Sequence, residues 1–207
     1  MFITLVVVNK YFYDNTITPH KTTKPPHQGS IMSTELTTWN VDTAHTNVQF
    51  KVKHMGFFDV TGSFVTFGGT LKTNGEVLDG GSITADVDVN SISTNNEQRD
   101  GHLKSDDFFN AEAYPKMSFN STSITKNGAN YTIAGELTIR NTTKKVQFDA
   151  VHAGKLIGMY GELRTGIMAT TKINRKEFGL NWGALVEGVN VVSDDVEIIL
   201  NVQLVKA

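Results

Sequence analysis

Apolar and polar residues alternate with a period of two over most of the chain from Trp39 onward, a pattern that sends successive side chains to opposite faces of an extended strand. Val48, Phe50 and Val52 share one face, while Asn47, Gln49, Lys51 and Lys53 take the other. The alternation returns at Ile83, Ala85, Val87 and Val89 against Thr84, Asp86, Asp88 and Asn90, and again at Tyr131, Ile133, Gly135, Leu137 and Ile139. Val146/Phe148/Ala150 and Val196/Ile198/Leu200/Val202/Leu204 add further copies, and Asn127-Gly128 supplies turn chemistry between Ile124 and Tyr131. Hairpins therefore connect these strands. No segment carries a long apolar repeat at 3.6 residues; the one helical segment expected lies near residues 95–110, where Glu97, Gln98, Arg99 and Lys104 favour a turn or two.

About eight antiparallel strands, each with one apolar face, must hide those faces on one another, as a closed barrel or as a two-sheet sandwich. Periodicity leaves both open. Strand length favours the barrel, because several runs exceed the mean of about 5–6 residues in ordinary sheets, and long tilted strands suit closure. The fold expected is all-β, with a helical interruption.

The chain has 207 residues, which fits one domain with a tail. Residues 1–36 differ in kind from the rest. An apolar run, Phe2 to Val8, precedes a polar stretch with Pro19, Pro25 and Pro26. No Lys or Arg precedes the run and no Ala-x-Ala follows it, so it makes a poor secretory signal. It reads as a leader or disordered tail, or as sequence upstream of a start at Met32, with residues 37–207 as the folded body. A cytoplasmic location is expected on this reading, and a periplasmic or exported one if the segment acts as a signal.

Composition removes several function classes. With no cysteine, disulfides, thiolate metal sites and a cysteine nucleophile are excluded. Nineteen Lys and Arg against 21 Asp and Glu leave a net charge of −2, without the basic footprint of a nucleic-acid binder. No apolar run reaches the roughly 20 residues of a membrane-spanning helix. His45, His54, His102 and His152 lack the paired spacing of a zinc site, so no metal is expected. There is no Gly-x-Ser-x-Gly elbow. Arg175-Lys176-Glu177 and Lys144-Lys145 read as solvated turns with paired charges.

Several motifs then fall in one order along the chain: Trp39-Asn40-Val41-Asp42 with His45, Thr46, Val48 and Phe50; Lys53-His54-Met55-Gly56-Phe57; Arg99 to Phe109; Tyr114 to Phe119; Gly135 to Arg140; Ile173 to Leu180; and Val192 to Ile198. In these residues the chain resembles the YceI family of lipocalin-like proteins, from about Trp39 to the C-terminus. The resemblance implies an extended, eight-stranded antiparallel β-barrel that holds a polyisoprenoid or similar long amphiphile, and it implies no catalytic residues. Asn141-Thr142-Thr143 stands where many members carry a glycine-containing turn.

On that footing Phe50, Val52, Phe57, Phe64, Phe67, Val87, Phe108, Phe109, Phe119, Leu137 and Phe148 are expected to line an apolar tunnel. Ala85, Gly135 and Ala150 could give it room. Lys53, His54, Arg99, His102 and Lys104 are expected at a polar mouth, where cationic donors suit a phosphate, carboxylate or quinone oxygen. The expected activity is non-enzymatic transport or sequestration of a long-chain isoprenoid, quinone-type or fatty-acyl lipid. No other cofactor is expected, and a homodimer is a candidate assembly. Two rivals remain at this stage: an enzyme using His102 with Asp100 or Asp106 as acid and base, and a solid-cored interaction module.

Overall fold

In the computed structural model, residues 36–75 and 77–207 are described. The leader or tail expected over 1–36 lies, but for Leu36, outside the described residues.

Among the described residues, thirteen strand segments and one α-helix follow in chain order: β1 Leu36–Val41, β2 Asn47–His54, β3 Phe58–Phe64, β4 Phe67–Asn74, β5 Val77–Asp88, β6 Ile92–Ser93, α1 Glu97–Lys104, β7 Lys116–Asn127, β8 Asn130–Ile139, β9 Thr142–Ile157, β10 Leu163–Asn174, β11 Leu185–Val186, β12 Val189–Asn190 and β13 Val192–Lys206. The first six are three strands, each kinked once. Both β1 and β2 run antiparallel to β13, at Trp39↔Lys206 and then at Val48↔Leu200, so together they make one strand interrupted at Asp42–Thr46. Likewise β3 pairs with β2 while β4 pairs with β1, and β6 continues β5 along β3 and β4. Counted this way, every strand neighbours its predecessor in sequence, and β13 closes the ring on β1 and β2. The result is the expected eight-stranded antiparallel barrel, without a sandwich's two separate sheets.

The three kinks lie side by side and are stitched by polar groups. The Asp42 carboxylate accepts hydrogen bonds from the Ala44 amide (3.1 Å), His45 Nδ1 (2.8 Å) and Arg164 Nη1 (2.6 Å). The His45 and Arg164 bonds hold its carboxyl below the usual carboxylate range. At the next kink the Thr66 amide donates to Ser91 Oγ (3.0 Å), and Ser91 Oγ donates to the Asp88 carbonyl (2.6 Å). A bend shared by neighbouring strands lets the wall curve without leaving backbone groups unpaired.

The helix is shorter than the 95–110 expected. Asn96 caps α1, its side-chain oxygen accepting from the Arg99 amide at 2.9 Å, and Ser105 ends it. No residue of α1 is buried, so capping rather than an apolar face holds it.

Packing differs between the two ends. Trp39, Leu71, Leu78, Ile124, Tyr131, Ile133, Phe148, Ala150, Ile167, Ala169 and Leu204 form a dense cluster at one end. Within it the Trp39 indole N–H donates to Thr73 Oγ1 at 3.0 Å, satisfying the one polar group of the largest side chain buried there. Toward the other end the inward-facing residues Val48, Phe50, Val52, Ala85, Val87, Val196, Ile198 and Leu200 are only half-buried. They point inward yet lack full burial because they border an open lumen.

Candidate functional site

The lumen is a cavity of about 460 Å³ walled by β1–β5, β7–β10 and β13, with α1 and the 179–192 segment at its mouth. Its wall is apolar because the period-two alternation puts the same face of every strand inside. Of the residues expected to line a tunnel, Phe50, Val52, Phe64, Phe67, Val87, Phe108, Phe109, Phe119, Leu137 and Phe148 face it. Their rings contact one another: Phe50 and Phe64 at 5.7 Å, Phe64 and Phe109 edge-on at 6.0 Å, Phe119 and Phe148 edge-on at 5.4 Å. Phe57 is the exception. Met55 and Gly56, at φ 50° and 74°, turn the chain back between β2 and β3, which carries Phe57 past the rim to 76% exposure.

The small residues act differently from expectation. Ala85 does face the lumen. Gly135 makes room only indirectly: the space beside its Cα is taken by the Phe119 ring, which a methyl there would overlap and displace. Gly62 receives the Phe50 ring in the same way. Ala150 is buried in the plugged end.

Lys53, His54, Arg99 and His102 gather around the mouth, whereas Lys104 does not. Helical spacing explains the difference: Arg99, His102 and Leu103 lie at i, i+3 and i+4 and share the lumen-facing side of α1, and Lys104 falls off it. Arg99 is aimed by Thr94, donating from Nε to Oγ1 at 2.7 Å and from Nη2 to the carbonyl at 2.9 Å. Lys53 bridges Asp59 at 2.7 Å, and its hydrogen bond draws the Asp59 carboxyl below the usual range. His54 Nδ1 donates to the Val191 carbonyl at 2.9 Å.

His102 is fixed by one carboxylate and two rings. Its Nε2 bonds Asp107 at 2.8 Å, and its ring meets Phe108 and Trp182 edge-on, each at 5.1 Å. Asp100, one proposed acid–base partner, instead accepts from the Thr94 amide (2.9 Å) and hydroxyl (2.5 Å). Among the described residues, no group of three or more His, Asp or Glu side chains is placed to hold a metal ion.

Two arginines outside the site expected from sequence build its mouth. Arg175, expected in a solvated turn, is 5% exposed. Its guanidinium donates to the carbonyls of Leu180 (2.5 Å), Trp182 (2.7 Å) and Ser193 (2.9 Å) and to Asp194 (3.2 Å). That fork fixes the loop carrying Trp182 over the lumen. Arg140, in the two-residue turn between β8 and β9, adopts φ 56°. From there it donates to the Gly179 carbonyl at 2.9 Å and lies 5.4 Å above the Tyr114 ring. An arginine stands where a turn with positive φ favours glycine, and its side chain ties two mouth segments together.

An eight-stranded meander closed around an apolar lumen, plugged at one end and charged at the other, is the architecture of barrels that enclose a single small ligand. The YceI-like domain model matches residues 39–204, and the chain belongs to the YceI family. It is 32% identical to a UPF0312 protein of Pectobacterium atrosepticum over 178 residues, 86% of this chain and 90% of that one. A UPF0312 protein of Staphylococcus aureus is 35% identical over 155 residues, 73% of this chain and 87% of the relative. Among solved structures, the Campylobacter jejuni YCEI protein superposes with TM-score 0.63 at 27% identity, covering 80% of this chain and 96% of that one. A polyisoprenoid-binding domain from Saccharophagus degradans shares the fold at TM-score 0.58 and 13% identity, covering 82% and 98%.

Proposed function

We propose that the protein is a non-enzymatic carrier that encloses one long isoprenoid or fatty-acyl amphiphile, its chain in the lumen and its head at the mouth. The observation that carries this reading is the hollow itself: about 460 Å³ of apolar-walled space inside a closed ring of strands, within the roughly 300–1,000 Å³ of single-ligand sites. A core built only for stability would be packed solid. Each methylene taken from water contributes about 0.8 kcal/mol, so affinity comes from the chain. Discrimination between chains differing by one methylene is weak, at about 1–3 kcal/mol. The cations at the mouth, Arg99 foremost, select the head.

The His102–Asp100 pair of the enzymatic reading does not form, since Asp100 is bonded to Thr94 and His102 to Asp107. Replacing His102 with alanine separates carrier from enzyme, because a carrier retains its lipid and an enzyme loses turnover. The direct test is organic extraction of protein purified from several expression hosts, followed by lipid mass spectrometry, with native mass spectrometry for stoichiometry. One amphiphile per barrel is expected. Protein that is empty from every host and takes up no added long-chain probe overturns the reading.

A further inference from the structure

Two neighbouring turns at the mouth carry apolar side chains that no described part of the barrel covers. The β2–β3 turn presents Phe57 and Phe58, at 76% and 73% exposure, with ring centroids 6.4 Å apart. Beside it the β11–β12 hairpin presents Leu185, Val186 and Val189, with Leu185 68% exposed. Sequence patterning does not require these residues to be apolar, because neither turn has an inner face to bury. Among the described residues the hairpin pairs only with itself and stands apart from the barrel sheet. It is nonetheless held firmly: the Met55 amide donates to the Val191 carbonyl at 3.0 Å, and the Val191 amide donates to the Ala184 carbonyl at 2.9 Å. Left-handed residues fix both tips, Met55 and Gly56 on one, Glu187 and Gly188 on the other.

We propose that the open end of the barrel docks on a lipid bilayer, inserting these two tips so that the ligand passes between membrane and lumen without crossing water. This deepens the carrier reading and rests on it. Three features commit the surface to that occupant. The apolar rim is continuous with the lumen, since Val191 and Val192 lead from the hairpin into the cavity lining. Its charge is small: Lys53 is bridged to Asp59, and the single charge left over on the two turns is Glu187, too little to call for a basic or acidic protein partner and compatible with a zwitterionic surface. An exposed phenylalanine pair beside aliphatic tips also suits shallow insertion at the boundary of headgroups and acyl chains, where the Phe and Leu side chains of interfacial segments are buried. A ligand that gains its affinity from leaving water is, by the same physics, nearly absent from water and must be collected from an apolar phase.

The test uses the full chain with phosphatidylcholine vesicles in a flotation gradient, comparing the native sequence with Phe57→Ser/Leu185→Ser. The native protein is expected to float with the vesicles and to keep floating in about 1 M salt, where screening reduces the Debye length to about 3 Å. The double variant is expected to lose about a hundredfold in partitioning, about tenfold per inserted side chain. A second variant, Phe57→Trp, reads insertion without depending on loss: brominated lipid should quench its emission beyond the quenching seen for the native protein, whose Trp39 and Trp182 also emit. Equal flotation of the native protein and the double variant, salt-sensitive flotation, or quenching of Phe57→Trp by brominated lipid no greater than that of the native protein overturns the proposal. So does a native dimer that the double variant converts to monomer, because the rim is then covered by a second copy. Protein that floats as expected yet never carries lipid refutes the carrier reading alone, and protein that loads lipid but does not float refutes docking alone.

Discussion

Replacing Ala85 with phenylalanine distinguishes a hollow barrel from a solid one by the sign of its effect. Ala85 sits on β5 opposite Gly69 and Phe119, and it faces the lumen. In a filled core the added ring would overpack and cost about 1–3 kcal/mol. In an open lumen it gains part of the about 1.5–3 kcal/mol for burying a phenylalanine. At about 2–4 °C per kcal/mol for a domain of this size, lipid-free protein should melt several degrees higher rather than lower. Meanwhile the ring takes the place of about six methylenes of guest chain, roughly 5 kcal/mol or more than a thousandfold in affinity. The assays are calorimetric melting of delipidated protein and displacement of a fluorescent long-chain probe. A lowered melting temperature, or probe binding equal to that of the native protein, refutes the reasoning.

Arg175→Met leaves the carbonyls of Leu180, Trp182 and Ser193 without their donor, which should cost about 2–4 kcal/mol and shift Trp182 fluorescence to the red; lysine, lacking the planar fork, should not rescue either readout. Arg99→Glu should weaken an anionic fatty-acyl probe by about tenfold or more while leaving an uncharged isoprenoid alcohol nearly unaffected, as titration of both probes would show. Burial, then the nearby charges of Lys155 and Lys126, hold the His152 imidazole below its usual range. The unfolded chain therefore takes up that proton at a higher pH than the folded one, so stability should rise with pH up to about 6.5 and then level off. His152→Gln should flatten that slope in urea titrations.

The strands with strong contrast between faces were legible from the sequence: β2, β5, β8 and the C-terminal β13 show apolar–polar alternation because one side meets lumen or core and the other meets water. By contrast, β10 was not legible. Its buried side holds Thr165, Ile167 and Ala169, while Met168 lies on the exposed side, so the two faces hardly differ in polarity. Closure was not legible from alternation either, because it depends on β13 passing from β2 to β1 along its length. At the site, the tunnel wall follows the strand period and was readable, whereas the mouth does not. Trp182 reaches the lumen through an irregular loop whose path is set by a buried guanidinium. Sequence alone gives an arginine beside a lysine and a glutamate no reason to be buried. Phe57 failed for a related reason, since two left-handed residues reversed the chain just before it.

Gly62 and Gly135 set the bore of the channel. Each gives up its side chain so that a phenyl ring can press against the backbone, folded aside like a shutter against a wall. Any larger residue at either place would push that shutter into the lumen and narrow it. The gauge of the barrel, and with it the thickness of guest it admits, depends on two hydrogen atoms as much as on the bulky groups around them.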